Sequence, residues 1–152
     1  MTTTVSSVSE LQDLVGKHLG YSEWREISQE RIATFADATD DHQWIHLDAG
    51  RATAGPFGTT IAHGFLTLSL LVPMWHEILQ FDGVRLGVNY GLNRVRFPAP
   101  VPSGSRIRAG GTLVSVETVA DAGIQVVVDF VVEREGGEKP CCIAQGIFRF
   151  FV

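Results

Sequence analysis

Asp40-Asp41-His42-Gln43-Trp44-Ile45-His46 brings two carboxylates and two imidazoles into seven residues. A carboxylate and an imidazole can hold a water between them, take a proton from it and return one, which is general acid–base chemistry. A second stretch, Gly55-Pro56-Phe57-Gly58-Thr59-Thr60-Ile61-Ala62-His63-Gly64-Phe65, leads through glycines into a long apolar segment. Free N–H groups at the start of a helix there would hold an oxyanion. His42 and His46 are four apart and would bind a metal if helical, but no third ligand stands at suitable spacing. Each residue also has a plainer reading. Asp41 alone would be a C-cap or turn residue, and His63 would line a pocket, orient its loop or serve as a satisfied structural histidine. Ser69 would hydrogen-bond backward within its helix, and His18 and His76 would be structural or exposed.

The elements around these residues follow from hydrophobic spacing. Val8, Leu11, Leu14 and Val15 form a short helical stripe, closed by Gly16 and Gly20. Tyr21–Ile27 alternates as a strand. Ser28 stands at an N-cap position before Ile32, Phe35 and Ala36 at helical spacing, so a helix should run to about Ala38 and deliver the Asp-rich stretch at its end. Asp48–Thr53 reads as another helical turn and Gly55–Gly58 as a loop. From Ala62 or His63 to Leu79 the sequence is apolar nearly all round, as in a helix buried on most sides, with Pro73 kinking it or starting a new segment.

Past Gln80-Phe81-Asp82-Gly83 the pattern changes to strands. Leu86–Gly91 leads to Arg94–Phe97, and Pro98-Ala99-Pro100-Val101-Pro102 breaks the run. Ile107–Val119 follows, with Gly110-Gly111 as a bulge or bend, then Ile124–Glu133 and Cys141–Phe151. Asp121-Ala122-Gly123 and Glu135-Gly136-Gly137-Glu138 read as hairpin turns. A long buried helix with sequential hairpins predicts an α+β domain spanning residues 1–152, its mostly antiparallel sheet curved round the helix.

Composition narrows the function. With 152 residues, 45% hydrophobic and 19% charged, the chain is long enough for a sizeable core and is not a disordered sequence. A net charge of −5 argues against nucleic acid or an anionic membrane as the main partner. The adjacent Cys141 and Cys142 are no disulfide framework and fit a reducing compartment. Met1–Glu10 lacks the basic start and apolar core of a secretory signal. The run Phe65–Met74 is about half the ~20 residues of a membrane span. The expectation is a cytoplasmic protein.

Three segments together resemble the MaoC-like, hydratase-2 type (R)-specific enoyl-CoA hydratases. Asp41, Ile45 and His46 match Asp, the aliphatic position and His in a motif that reads roughly Gly-Asp-x-Asn-Pro-(Leu/Ile/Val)-His. Ile61-Ala62-His63-Gly64-Phe65 matches the His-Gly segment opening the central helix, and Phe97–Gly104 resembles a Phe-x-x-Pro-Val-x-x-Gly turn. Asp40, Gln43 and Trp44 depart from the motif, standing where it has glycine, asparagine and proline.

The resemblance implies a hot dog fold and reversible hydration of a trans-2-enoyl-CoA thioester by a homodimer, without a metal or other cofactor. It implies Asp41 and His46 as the catalytic pair and the N–H of Gly64 as donor to the thioester oxygen. It also implies Ile61, Ala62, His63 and Gly64 beside the acyl group, with Gly87, Val88, Asn89, Tyr90, Pro98, Ala99 and Pro100 walling a channel along the dimer interface. Arg94, Arg96, Arg106 and Arg108 are candidates for phosphates, though the solvated strand face is the plainer reading for any one of them. Two other functions remain open: an acyl-CoA thioesterase on the same fold, and a non-catalytic acyl-CoA-binding subunit in which Trp44 narrows the pocket.

Overall fold

A computed structural model of the chain describes residues 2–152. Chain order runs β1 (Thr3–Val5), α1 (Val8–Gln12), β2 (His18–Tyr21), β3 (Arg25–Ile27), α2 (Gln29–Thr39), α3 (Trp44–Leu47), α4 (Ala49–Thr53), α5 (Gly64–Ser69) and α6 (Leu71–Ile78). Five strands complete it: β4 (Leu79–Phe81), β5 (Leu86–Arg96), β6 (Ser105–Val119), β7 (Gly123–Arg134) and β8 (Cys142–Phe151). The large sheet is ordered β2-β6-β7-β8-β5, with β3 also on β6, and every pairing in it is antiparallel.

The even-numbered residues Ile124–Val132 of β7 and Cys142–Phe150 of β8 turn inward, joined by Ile107, Ala109 and Leu113 of β6. Against this face lies α6, which buries Leu71, Met74, Trp75 and Ile78. Trp75 stacks on Phe148 at 5.8 Å between centroids and meets Phe130 edge-on at 5.7 Å. An aromatic side chain buried this fully removes enough area from water to contribute about 4–6 kcal/mol.

Much of the predicted order is present, with three differences. The strand expected over Tyr21–Ile27 is two strands, interrupted at Ser22–Trp24, where Ser22 bonds to Ala109 through both its backbone and its hydroxyl. Gly110 and Gly111 do not form a bulge; they pair in register with Val131 and Phe130. Gly110 instead makes room for β2, since a Cβ there would lie 2.8 Å from the His18 ring and 3.0 Å from Tyr21. In line with the new segment expected at Pro73, the long apolar helix divides at Leu70, and Pro73 sits in the first turn of α6, where its missing N–H costs no intrahelical bond. Finally β1 and β4 form a small parallel pair that sequence spacing does not reveal, three residues each being too short for a period.

Trp75→Ala should destabilise the fold by roughly 3–5 kcal/mol, the usual range for emptying an aromatic core site. A denaturant melt followed by circular dichroism measures this; a loss under about 1 kcal/mol would mean that the sheet does not depend on this contact.

Candidate active site

The turn that exposes Asp41 is set by the end of α2. Ser28 caps the start of that helix by accepting from the Arg31 N–H at 3.1 Å. At the other end Asp40 adopts a left-handed conformation, φ 60° and ψ 24°, while the N–H groups of Asp40 and Asp41 both return to Ala36. Glycine takes this conformation freely and Asp is among the few other residues that tolerate it. Asp40 and Asp41 are both exposed.

One turn of helix, α3, then carries His46 inward until it is buried. The strip Thr60–Ala62 is fixed on both sides: Ile61 N–H bonds to Ile45 at 3.0 Å, Ala62 N–H to Val101 at 2.8 Å, and Ser103 N–H to Thr60 at 2.9 Å. Gln29, the first residue of α2, reaches across both pieces. Its amide donates to the His46 carbonyl at 2.8 Å and accepts from the Thr60 hydroxyl at 2.7 Å.

His46 Nδ1 lies 2.7 Å from the Ile61 carbonyl oxygen. A carbonyl only accepts, so Nδ1 carries the proton and Nε2 keeps a free lone pair. Burial lowers the pKa of His46 below its ordinary 6.5; the bond to Ile61 opposes this, His63 adds to the lowering and Asp41 opposes it. His63 lies on His46, with ring centroids 3.7 Å apart and planes within 22°. Its Nε2 stands 2.9 Å from the backbone carbonyl of Asp41 and must donate to it.

Asp41, His46 and His63 each present a ligand-type atom, all within 4.8 Å of one another. They are where a metal would be held, but the cluster does not complete the His42–His46 pair of the sequence reading, since His42 is not part of it. Zinc in tetrahedral coordination asks for ligand atoms about 3.3 Å apart with lone pairs converging. Two nearly parallel stacked rings do not aim their in-plane lone pairs at a common point. A water beside Nε2 and the carboxylate suits the arrangement better.

His46 opens onto a cavity of about 380 Å³ that is also lined by Phe57, Ile61, Ala62, Gly64, Thr67 and Cys141 and by the Phe97–Val101 turn. Gly64 is the first residue of α5, so its N–H has no partner within the helix. A Cβ on it would fall 2.9 Å from the Phe97 ring, which reserves the position for glycine. Burial pushes the Cys141 thiol up to about 11, so it stays protonated and is no nucleophile.

His46, Ile61, Ala62, Gly64 and the Pro98-Ala99-Pro100 turn thus line one cavity, and Asp41 and His63 join it through their contact with His46. Gly87, Val88, Asn89 and Tyr90 are not there; they lie on the exposed strand β5. His42 points away and pairs with Asp37 at 2.9 Å. Trp44 does not line the cavity; it packs on Gly55 beneath the Arg51 guanidinium. Arg106 and Arg108 are paired with Glu135 and Glu133. Ser69 bonds back to Phe65 at 2.7 Å. Sequence spacing misses Gln29 and Thr60, which bond to each other across 31 positions, and Thr67 and Cys141, which line the cavity.

A curved antiparallel sheet over a central helix, with an acid–base site where that helix begins, defines a hot dog fold. Residues 10–135 match the family described as MaoC like domain. A 3-hydroxyacyl-thioester dehydratase Z from Mycobacterium tuberculosis (strain ATCC 25618 / H37Rv) is 54% identical over 147 residues, covering 97% of each chain. Among solved structures, a monoamine oxidase regulatory protein from Archaeoglobus fulgius superposes with a TM-score of 0.79 at 24% identity, covering 100% of this chain and 99% of its own. An (R)-hydratase from A. caviae involved in PHA biosynthesis gives 0.72 at 20% identity, covering 88% of this chain and 94% of its own. The chain belongs to the MaoC-like domain family, and within it to the hydro-lyases that act as hydratases and dehydratases.

Because the pKa of His46 is lowered by folding, the unfolded chain takes up its proton first as pH drops below 6.5. Acidification through that value should therefore cost stability. Melting temperatures between pH 7 and 5 should fall less steeply for His46→Asn than for the wild type. Equal slopes would show that His46 is not the buried base described here.

Proposed function

We propose that the chain catalyses reversible, (R)-specific hydration of trans-2-enoyl-CoA to 3-hydroxyacyl-CoA, serving fatty acid metabolism in the cytoplasm. The observation that carries this is the buried His46, which lines the cavity with its Nδ1 committed to Ile61 and lies in one cluster with the Asp41 carboxylate. In the hydration direction a water held by these two groups gives a proton to Nε2 as its oxygen bonds to C3 of the substrate. The C2–C3 double bond opens and negative charge moves to the thioester oxygen, where the Gly64 N–H donates. His46 then returns the proton to C2. Dehydration is the same path reversed. The reaction is redox-neutral and calls for neither a cofactor nor a metal.

A second copy of the chain fits the reading. Strand β5 pairs only with β8, and its far edge has no partner among the described residues. Both of its faces are open, with Leu86, Val88 and Leu92 exposed and Tyr90 at 55%. An apolar edge of that length calls for cover. In a homodimer, Gly87–Tyr90 would then wall the channel for the pantetheine arm.

Purified protein given a short trans-2-enoyl-CoA should consume the conjugated absorbance without releasing thiol. Thiol release would favour the thioesterase reading, and silence over all chain lengths a binding subunit. Asp41→Asn and His46→Ala should each lower the rate on the order of 10²-fold or more while the fold survives. Loss of activity on Asp40→Asn but not on Asp41→Asn would reverse the assignment. Separately, Leu92→Asp should shift the chain from dimer to monomer in sedimentation; a wild-type monomer at micromolar concentration would rule out the shared channel.

A further inference from the structure

We infer that His63 is a positioning residue for the dyad: its Nε2–H holds the main chain at Asp41 while its ring face holds the imidazole of His46. The inference rests on the hydration reading and adds to it the part that sets the distance between the two reacting side chains.

Asp41 follows a left-handed turn and its own side chain is exposed. Its backbone is tied to α2 through the N–H bond to Ala36, and to the site through its carbonyl, which accepts from His63. Among the described residues, that second tie is the hydrogen bond joining the Asp41 turn to the segment that opens α5. His63 is well placed to supply it, being 2% exposed and held between Phe35, 4.9 Å away, and His46, 3.7 Å away. One side chain therefore touches the backbone of one member of the dyad and the ring of the other.

The other nitrogen of His63 argues against a merely structural role. Its Nδ1 is buried without a hydrogen-bond partner among the described residues. A histidine kept only for packing would be served better by an apolar side chain, because leaving a buried polar atom unpaired costs about 1–3 kcal/mol. Only Nε2–H and the flat face of the ring are used, and both uses are directed at the dyad.

The stack also covers His46 and keeps solvent from its ring. The titratable groups facing that imidazole are Asp41 from the turn after α2, His63 from the start of α5, and the protonated thiol of Cys141 across the cavity. Gln29 meets only its backbone carbonyl. His63 and burial both act to keep His46 in the form that accepts a proton.

Two substitutions separate the two contacts. His63→Phe keeps the stacked face and removes the donor; kcat should fall about ten- to a hundredfold, the size expected for misplacing a catalytic group, with KM changed less than about twofold. His63→Gln keeps a donor near Nε2 and removes the stack. It should recover most of kcat but raise the His46 titration midpoint toward the ordinary 6.5, moving the acid limb of the kcat/KM profile with it. Histidine ¹⁵N NMR titration reads that midpoint without any turnover. Should the wild type hydrate no enoyl thioester, the hydration reading fails, and the NMR midpoints of the two variants still decide the role of His63. Folded variants that keep wild-type kcat and the wild-type His46 midpoint would overturn the inference. So would an equal loss in both variants with only the melting temperature altered.

Discussion

The hydrogen bond from His46 Nδ1 to the Ile61 carbonyl decides which nitrogen of His46 is available for chemistry, and the site is organised to hold it. The carbonyl cannot turn away, because the N–H groups on either side of it, at Ile61 and Ala62, are bonded to Ile45 and Val101. The ring cannot turn away either, since His63 covers one of its faces and Gln29 fixes the backbone that carries it. Breaking a buried bond of this kind leaves an unpaired group and costs about 1–3 kcal/mol. Reversing the ring would also put a C–H edge where Nε2 now presents its lone pair. Orientation and reactivity are thus enforced by the same contacts.

That arrangement explains how the departures at positions 43 and 44 are absorbed. Gln43 occupies the N-cap position of α3 without a side-chain cap bond, and its carbonyl still accepts from His46 N–H at 3.1 Å. Trp44 turns to the outside of the short helix and is sandwiched between Gly55 and Arg51. The position of His46 depends on backbone contacts from Ile45 and Ile61, so its neighbours can vary while it stays in place. The pocket is narrowed by neither residue.

How much of this could be read from the sequence depended on the distance over which a contact acts. Helix α2 and strands β6, β7 and β8 announce themselves through local period, and the Ser28 cap through its residue type. Asp41, His46 and Gly64 are legible from spacing against a family motif. The Gln29–Thr60 bond, the His63–His46 stack and Cys141 in the cavity wall join residues 17 to 95 positions apart in pairs that no local pattern marks. The break at Ser22–Trp24 escapes for a related reason, because it answers to the register of β6 rather than to its own residues. Strand β5 shows the opposite case: its pattern is plain, but its burial depends on what covers it.

Asp40 carries a consequence for the unfolded chain. Where a glycine would enter the left-handed turn from a broad set of backbone states, a residue with a Cβ samples far fewer before folding. The native turn therefore asks less conformational entropy of this chain, in exchange for some local strain at φ 60°. The strain falls one residue before the carboxylate proposed to hold the reacting water. The hinge aiming Asp41 is accordingly stiffer than a glycine hinge would be, so thermal motion spreads the reacting group over a smaller volume.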